Sequence, residues 1–292
     1  MSSSESSRNL SSWNTPVGAR VGLGTASTSV ISITSGKGGV GKTSLVTNIA
    51  LQLAKAGQRV LVLDGDLGMA NVDLMFNVRS QRTIHDLVTG EAEIDEILVR
   101  VDKNISLIPG GSGIFDLQSM DVFQKQRLLD QVSALGEAYD VMLIDTAPGI
   151  ADNVLYLNSA AQDICVVVTP EPASIADSYA LIKVLHQRCR ENRFSIICNQ
   201  VKDETDGRKL FARLDSVAAK FLYVSLDYLG SIPADPILRQ CTRAQQLVTQ
   251  AQPDAPSARA ICQLAQGFKV RRASPECKGS LQFFWEQLVQ LA

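Results

Sequence analysis

A doubly wound α/β fold, a mostly parallel sheet with helices on both faces, is what this sequence predicts. Three observations lead there. Short apolar β-branched runs alternate with longer segments of helical period. The runs are continuously apolar, without the period-two alternation of a sheet that faces water on one side. A glycine-rich turn joins the first run to the first helical segment. In chain order, Val-Ile-Ser-Ile-Thr at 30–34 is the first strand and 43–55 the first helix, and Val-Leu-Val-Leu at 60–63 is the second strand. Further runs at 105–109, 141–144, 164–168, 194–198 and 228–232 are expected to be strands, and helical stretches at 122–135, 174–190 and 207–221 alternate with them.

The chain of 292 residues has room for one large α/β domain or two small ones. With neither an internal repeat nor a linker in its middle, one domain is expected, over residues 30–273. Residues 1–29 are rich in Ser, Thr and Gly, with Glu5, Arg8 and Arg20 their charged side chains, and are expected to be a disordered tail. From 251 to 292 the sequence has its own helical pattern and reads as an appendage. A Pro/Gly break at 274–279 sets off a C-terminal segment, 274–292.

Composition removes several classes of function. The formal net charge of -2 gives no support to a strongly cationic nucleic-acid binder, so no specific DNA binding is expected. No run approaches the roughly 18 apolar residues of a membrane span, and the serine-rich start is unlike a secretory signal. A soluble, cytoplasmic protein is expected. Its six cysteines form no C-x-x-C pair, the spacing that zinc, redox or bridging iron–sulfur chemistry would favour. His85 and His186 lie far apart on predicted helices without a Glu or Cys at ligand spacing, and are expected to be structural.

The chemistry concentrates in Gly36-Lys37-Gly38-Gly39-Val40-Gly41-Lys42-Thr43, which fits G-x-x-x-x-G-K-[ST] between a strand and a helix. Glycines let successive backbone N–H groups converge on phosphate oxygens, and the helix N-terminus adds its dipole. Lys42 reaches the terminal phosphates, Thr43 can ligate Mg²⁺, and Ser44 follows in the first turn. The competing reading is a glycine turn that only connects strand to helix. Two acidic sites follow at strand ends, Asp64-Gly65-Asp66 and Asp145-Thr146-Ala147-Pro148-Gly149. Carboxylates at the carboxyl edge of a parallel sheet face the ligand crevice, where they can orient a metal or an attacking water.

Lys37, near the start of K-G-G-x-G-K-T, gives a loop that resembles the deviant Walker A motif of the MinD/ParA family of dimeric P-loop ATPases. The resemblance runs from about residue 30 to 237. It implies a slow, partner- or membrane-stimulated ATPase that uses ATP/ADP and Mg²⁺ and forms an ATP-dependent homodimer, with Lys37 reaching the partner subunit's ATP. It further implies catalytic roles for Lys37, Lys42 and Asp66, the last positioning water. Thr43, Asp64 and Asp145 would lie around Mg²⁺, and Asn199, Pro233 and Asp235 on the base side. The segment from Asp64 to Asp73 and the ending Gly279-Ser-Leu-Gln-Phe-Phe-Trp-Glu-Gln-Leu-Val most resemble the FlhG/FleN flagellar number regulators. That implies restraint of a flagellar master transcription activator of the FleQ type. The FlhG segment that stimulates the GTPase FlhF, of DQAxxLR type, does not occur in residues 1–29. A MinD-type division-site regulator, a ParA-type partition ATPase and a nucleotide-sensing scaffold without turnover are the alternatives.

Placed about 100° apart, residues 281–292 gather Leu281, Phe284, Trp285 and Leu288 on one apolar arc, opposite Gln282, Glu286, Gln287 and Gln290. Two outcomes are expected of such a face: reversible binding to lipid at the inner face of the membrane, or docking on the protein's own domain.

Overall fold

The computed structural model describes residues 28–66, 71–110, 121–133, 135, 138–270 and 284–287. The chain runs β1 (Ser29–Thr34), α1 (Lys42–Lys55), β2 (Val60–Gly65), α2 (Val72–Phe76), α3 (Ile84–Thr89), α4 (Ile94–Ile97), β3 (Val99–Asp102) and β4 (Ile105–Ile108). It continues through α5 (Val122–Ser133), β5 (Val141–Thr146), α6 (Asp152–Ala160), β6 (Asp163–Val168), α7 (Pro172–Cys189), β7 (Arg193–Val201) and α8 (Glu204–Phe221). The last described elements are β8 (Ser225–Pro233), α9 (Pro236–Arg243), α10 (Val248–Ala251) and α11 (Pro256–Val270), followed by a short helical turn at 284–287.

The strands lie in the order β3-β4-β2-β5-β1-β6-β7-β8, and every neighbouring pair is parallel except β3 with β4. From β1 the chain goes to one side for β2 to β4, returns through β5, and leaves on the other side through β6 to β8. This reversal beside β1 opens the crevice where doubly wound sheets bind ligands.

Consecutive strand residues feed opposite cores, which is why the strands are apolar throughout. Ile31, Ile33, Val60, Val62, Val141 and Leu143 pack with α1 and α11, whereas Val30, Leu61, Leu63, Met142 and Ile144 pack in the cluster that includes α3, α5 and α6. A third cluster joins β6 and β7 to α7 and α8.

Three differences from the sequence expectations have physical causes. Strand β3, not foreseen, is a four-residue edge whose Arg100 and Asp102 stay exposed, so it has no apolar run to announce it. The stretch from 251 is not wholly an appendage, because Ala258, Ile261, Leu264, Ala265 and Phe268 of α11 are buried in the cluster that also holds α1. At the C-terminus, Phe284 and Trp285 are 0% and 1% exposed and belong to the α3–α6 core. In this structure they face protein, the docked state of the two outcomes expected for this face. Leu281 and Leu288 lie outside the described residues, as do residues 1–27 of the expected tail.

Asp235 also belongs to the frame, where the family resemblance puts it on the base side of a nucleotide. Its Oδ1 accepts from the Ile237 amide at 2.9 Å, capping α9. Oδ2 accepts from the Ser257 hydroxyl at 2.6 Å and amide at 3.2 Å, fastening α11 to α9. Burial pushes its pKa up, but the Ser257 and backbone hydrogen bonds outweigh this and hold it below the ordinary carboxylate value. A lowered folded pKa contributes stability that is fully present above the unfolded value of 3.8 and is lost as pH falls through the folded one. Asp235→Ala is expected to cost about 2 kcal/mol at pH 7, a fall of roughly 4–8 °C in Tm by scanning calorimetry. The gap from wild type should narrow below about pH 4.

Candidate nucleotide site

The loop between β1 and α1 is shaped by contacts that only glycine permits at two positions. A Cβ on Gly36 would lie 2.1 Å from the Asp177 carbonyl, so the loop start is pressed against α7. Gly41, at φ 96°, is in the left-handed region, and a Cβ there would lie 2.7 Å from the Asn199 amide nitrogen. Beyond Gly41, α1 begins at Lys42, so the N–H groups of its first turn point into the loop as a ready anion site.

Lys42 is buried, and its Nζ donates to Ser35 Oγ at 3.0 Å; that hydroxyl in turn donates to the Lys37 carbonyl at 2.7 Å. Burial lowers the pKa of the ammonium, while Asp145 and Asp66 pull it back up. Ser35, which sequence reasoning missed, therefore links the lysine to its own loop. A serine directly before the glycines was the available signal.

Asp145 sits at the end of β5, opposite Asp64 at the end of β2. Thr43 Oγ1 donates to Asp145 Oδ2 at 2.6 Å, and Asp145 Oδ1 is buried with no hydrogen-bond partner. Burial pushes this carboxyl up to about 7, against the Thr43 hydrogen bond and Lys42. An unpartnered buried oxygen beside a threonine hydroxyl suits Mg²⁺. Thr43 would supply a direct ligand and Asp145 would act through the ion's waters, since Mg²⁺ keeps several waters and takes its remaining ligands from phosphate. Among the described residues no group of three or more His, Cys, Asp or Glu side chains forms a protein-only cation cage.

Asp64, expected on the metal side, is bonded in this structure to backbone amides. Oδ1 accepts from the Asp66 amide at 3.1 Å, and Oδ2 from the amides of Asn71 and Val72 at 3.0 and 3.1 Å. It thus joins the end of β2 to the start of α2 and fixes the backbone of Asp66. Burial raises its pKa to about 6, against those three backbone hydrogen bonds.

Asn199, 2% exposed, donates from Nδ2 to the Val40 carbonyl at 2.7 Å and accepts the Gln200 amide on Oδ1 at 2.9 Å. The residue expected at the base thus clamps the phosphate loop. Pro233 ends β8 opposite Val201 on β7, close to Asn199 in the same register. Ser44 Oγ lies 3.5 Å from Thr242 Oγ1. The loop at Gly149 is tied to the site by its amide, which donates to the Ser35 carbonyl at 2.9 Å.

Lys37 points to the surface of the loop and pairs with Glu171, the residue that precedes Pro172 at the start of α7. Glu171 was also missed by sequence reasoning, because the ion pair spans 134 residues.

The raised Asp145 pKa has a defined consequence without nucleotide. Between the unfolded value of 3.8 and about 7, the folded chain holds a proton that the unfolded chain has lost, so stability falls as pH rises through this window. Thermal melts of the nucleotide-free protein from pH 4 to 8 are expected to show this fall, and Asp145→Asn should reduce it, leaving the smaller fall that the raised pKa of Asp64 contributes.

The chain matches, over residues 26–269, the ParA family profile described as NUBPL iron-transfer P-loop NTPase. It is 38% identical over 261 residues to "Antiactivator FleN" of Pseudomonas aeruginosa, covering 89% of this chain and 93% of that protein. It is 33% identical over 245 residues to "Flagellum site-determining protein YlxH" of Helicobacter pylori, covering 82% and 81%. In structure it is similar to the septum site-determining protein MinD of Pyrococcus horikoshii complexed with Mg-ADP. The TM-score is 0.66 at 26% identity, over 84% of this chain and 98% of that one. With the strand–loop–helix cradle and the Thr43–Asp145 pair in place, the chain belongs to the ParA/MinD family of P-loop NTPases.

Proposed function

We propose that this chain is an ATP-driven dimerising switch that regulates flagellar number and placement. It restrains a flagellar master transcription activator of the FleQ type and cycles on and off the inner face of the membrane. The observation that carries the reading is 38% identity to FleN along 93% of that protein, in a chain whose phosphate loop is complete. Members of the family are ATPases. Mg-ATP supplies the scissile phosphoanhydride and a cation that offsets charge on its oxygens.

In this reading the loop amides and Lys42 hold the β- and γ-phosphates, and Thr43 with Asp145 holds the metal side. Asp66, presented by the Asp64 turn, orients the attacking water, and hydrolysis is slow until a partner or the membrane stimulates it. Lys37 begins in its ion pair with Glu171 and exchanges that carboxylate for the phosphates of a second subunit's ATP. Both are charge-assisted contacts, so the exchange is close to balanced and nucleotide decides it. The turn at 284–287 begins docked, and its release in the ATP dimer presents two apolar helices to lipid, gaining avidity that one lacks. Among the described residues no helix is long and apolar enough to cross a membrane.

Lys37→Ala leaves Lys42 and the backbone cradle intact. ATP binding is expected to weaken by less than about tenfold while the ATP-dependent dimer is lost in analytical ultracentrifugation. Full dimerisation of this variant would remove the trans role. In the cell, deletion of the gene is expected to give supernumerary or misplaced flagella by electron microscopy. Minicells with normal flagellation would point instead to division-site control, and ATP-dependent coating of random DNA at physiological salt to partition.

A further inference from the structure

Helix α6 lies between the phosphate site and the docked C-terminal turn, and is held from both sides. On the site side, Asn158 is fully buried. Its Oδ1 accepts from Ser32 Oγ at 2.8 Å, and its Nδ2 donates to Thr34 Oγ1 at 3.2 Å and to the Val154 carbonyl at 2.7 Å. Thr34 Oγ1 also meets Thr146 Oγ1 at 2.9 Å, and Thr146 directly follows Asp145. The preceding residue of α6, Leu157, presses on the end of β2, where a Cβ added to Gly65 would lie 2.7 Å from its Cδ1. On the other side, Tyr156 packs against the cluster that contains Phe284 and Trp285. Tyr156 and Ser159 also line one cleft with Gln287.

We propose that Asn158 is a positioning residue that couples the loop beyond Asp145 to the docked turn at 284–287, acting through Thr34 and Thr146. The proposal rests on the reading that this turn is released with the nucleotide state. Its geometry follows from the bonding. The loop is tied to the end of β1 twice, by Thr146 to Thr34 and by the Gly149 amide to the Ser35 carbonyl, so a shift at Asp145 on binding Mg-nucleotide is carried to Thr34. Asn158 has its carbonyl and amide committed inside a core where an unmade hydrogen bond is penalised, so it follows Thr34 and takes α6 with it. At the far end the docked state is poised to respond, because the Trp285 indole N–H is buried without a partner. A dock that leaves a donor unsatisfied needs only a small displacement of α6 to open.

The chain's two tryptophans, Trp13 and Trp285, make the test direct. In a full-length Trp13→Phe background, Trp285 emission is followed while Mg-ADP is replaced by Mg-ATP, with nucleotide affinity and Tm measured in parallel. Thr34→Val removes the shared hydroxyl at constant volume and leaves each former partner another acceptor, the Ala147 carbonyl for Thr146 and the Val154 carbonyl for Asn158. Thr34→Ser keeps the hydroxyl. Asn158→Leu is the stronger variant, and the Thr34 pair carries the test whether or not it folds. The expected result is a red shift in the parent on ATP. It should be abolished, or displaced at least about fivefold in ATP concentration, in Thr34→Val, and preserved in Thr34→Ser at unchanged nucleotide affinity. A parent that responds while Thr34→Val matches it would overturn the coupling and leave the release reading standing. A parent that does not respond would overturn the release reading and the coupling with it.

Discussion

Buried charge at the carboxyl ends of three adjacent parallel strands is the constraint around which this molecule is organised. Lys42, Asp64 and Asp145 are each less than a tenth exposed, and burial moves each toward its neutral form. Such groups persist only where hydrogen bonds or opposite charges compensate. The compensation differs at each position. Asp64 is saturated by backbone amides, Lys42 rests on Ser35, and Asp145 retains a bare oxygen. The incomplete member sits beside Thr43, where a hydrated cation bound to phosphate would complete it.

Much of the surrounding polarity serves the frame. Asn199 holds the loop through Val40, and Asp235 caps one helix while fastening another. Asn48 joins α1 to α10 by accepting from Thr249. The Asn199–Val40 and Asn48–Thr249 bonds span large separations in the chain and hold the loop and α1 in place, which in turn sets the position of the anion-binding amides. Rigidity at the phosphates is thus obtained from contacts behind the loop. The surface pair Lys37–Glu171 is different in kind, being half exposed and screened by water, and can be exchanged at little cost.

The C-terminal aromatics carry this organisation further. Phe284 and Trp285 complete a core shared with strand residues Leu61, Leu63 and Ile144, which lie on β2 and β5, the strands that end at the acidic site. Fully burying two such side chains contributes about 3–6 kcal/mol gross, before ordering is subtracted. The unpartnered indole nitrogen reduces that gain, so the same residues suit both docking and departure.

By itself the sequence determined the strands, the long helices, the phosphate loop and the acidic strand ends. These depend on local pattern: continuous apolar runs, helical period, and glycines at fixed offsets before Lys42 and Thr43. Strand β3 escaped because a short charged edge has no such pattern. Only the tertiary structure decided what Asp64, Asn199 and Asp235 are bonded to, that Lys37 meets Glu171, and which side of the C-terminal arc has protein beside it. An amphipathic stripe reports that a face must be covered and is silent on what covers it. A carboxylate or an amide likewise accepts any donor within reach. The distant partners, Val40 for Asn199 and Glu171 for Lys37, are set by long-range packing, which brings together residues more than a hundred positions apart and leaves no mark in the local sequence.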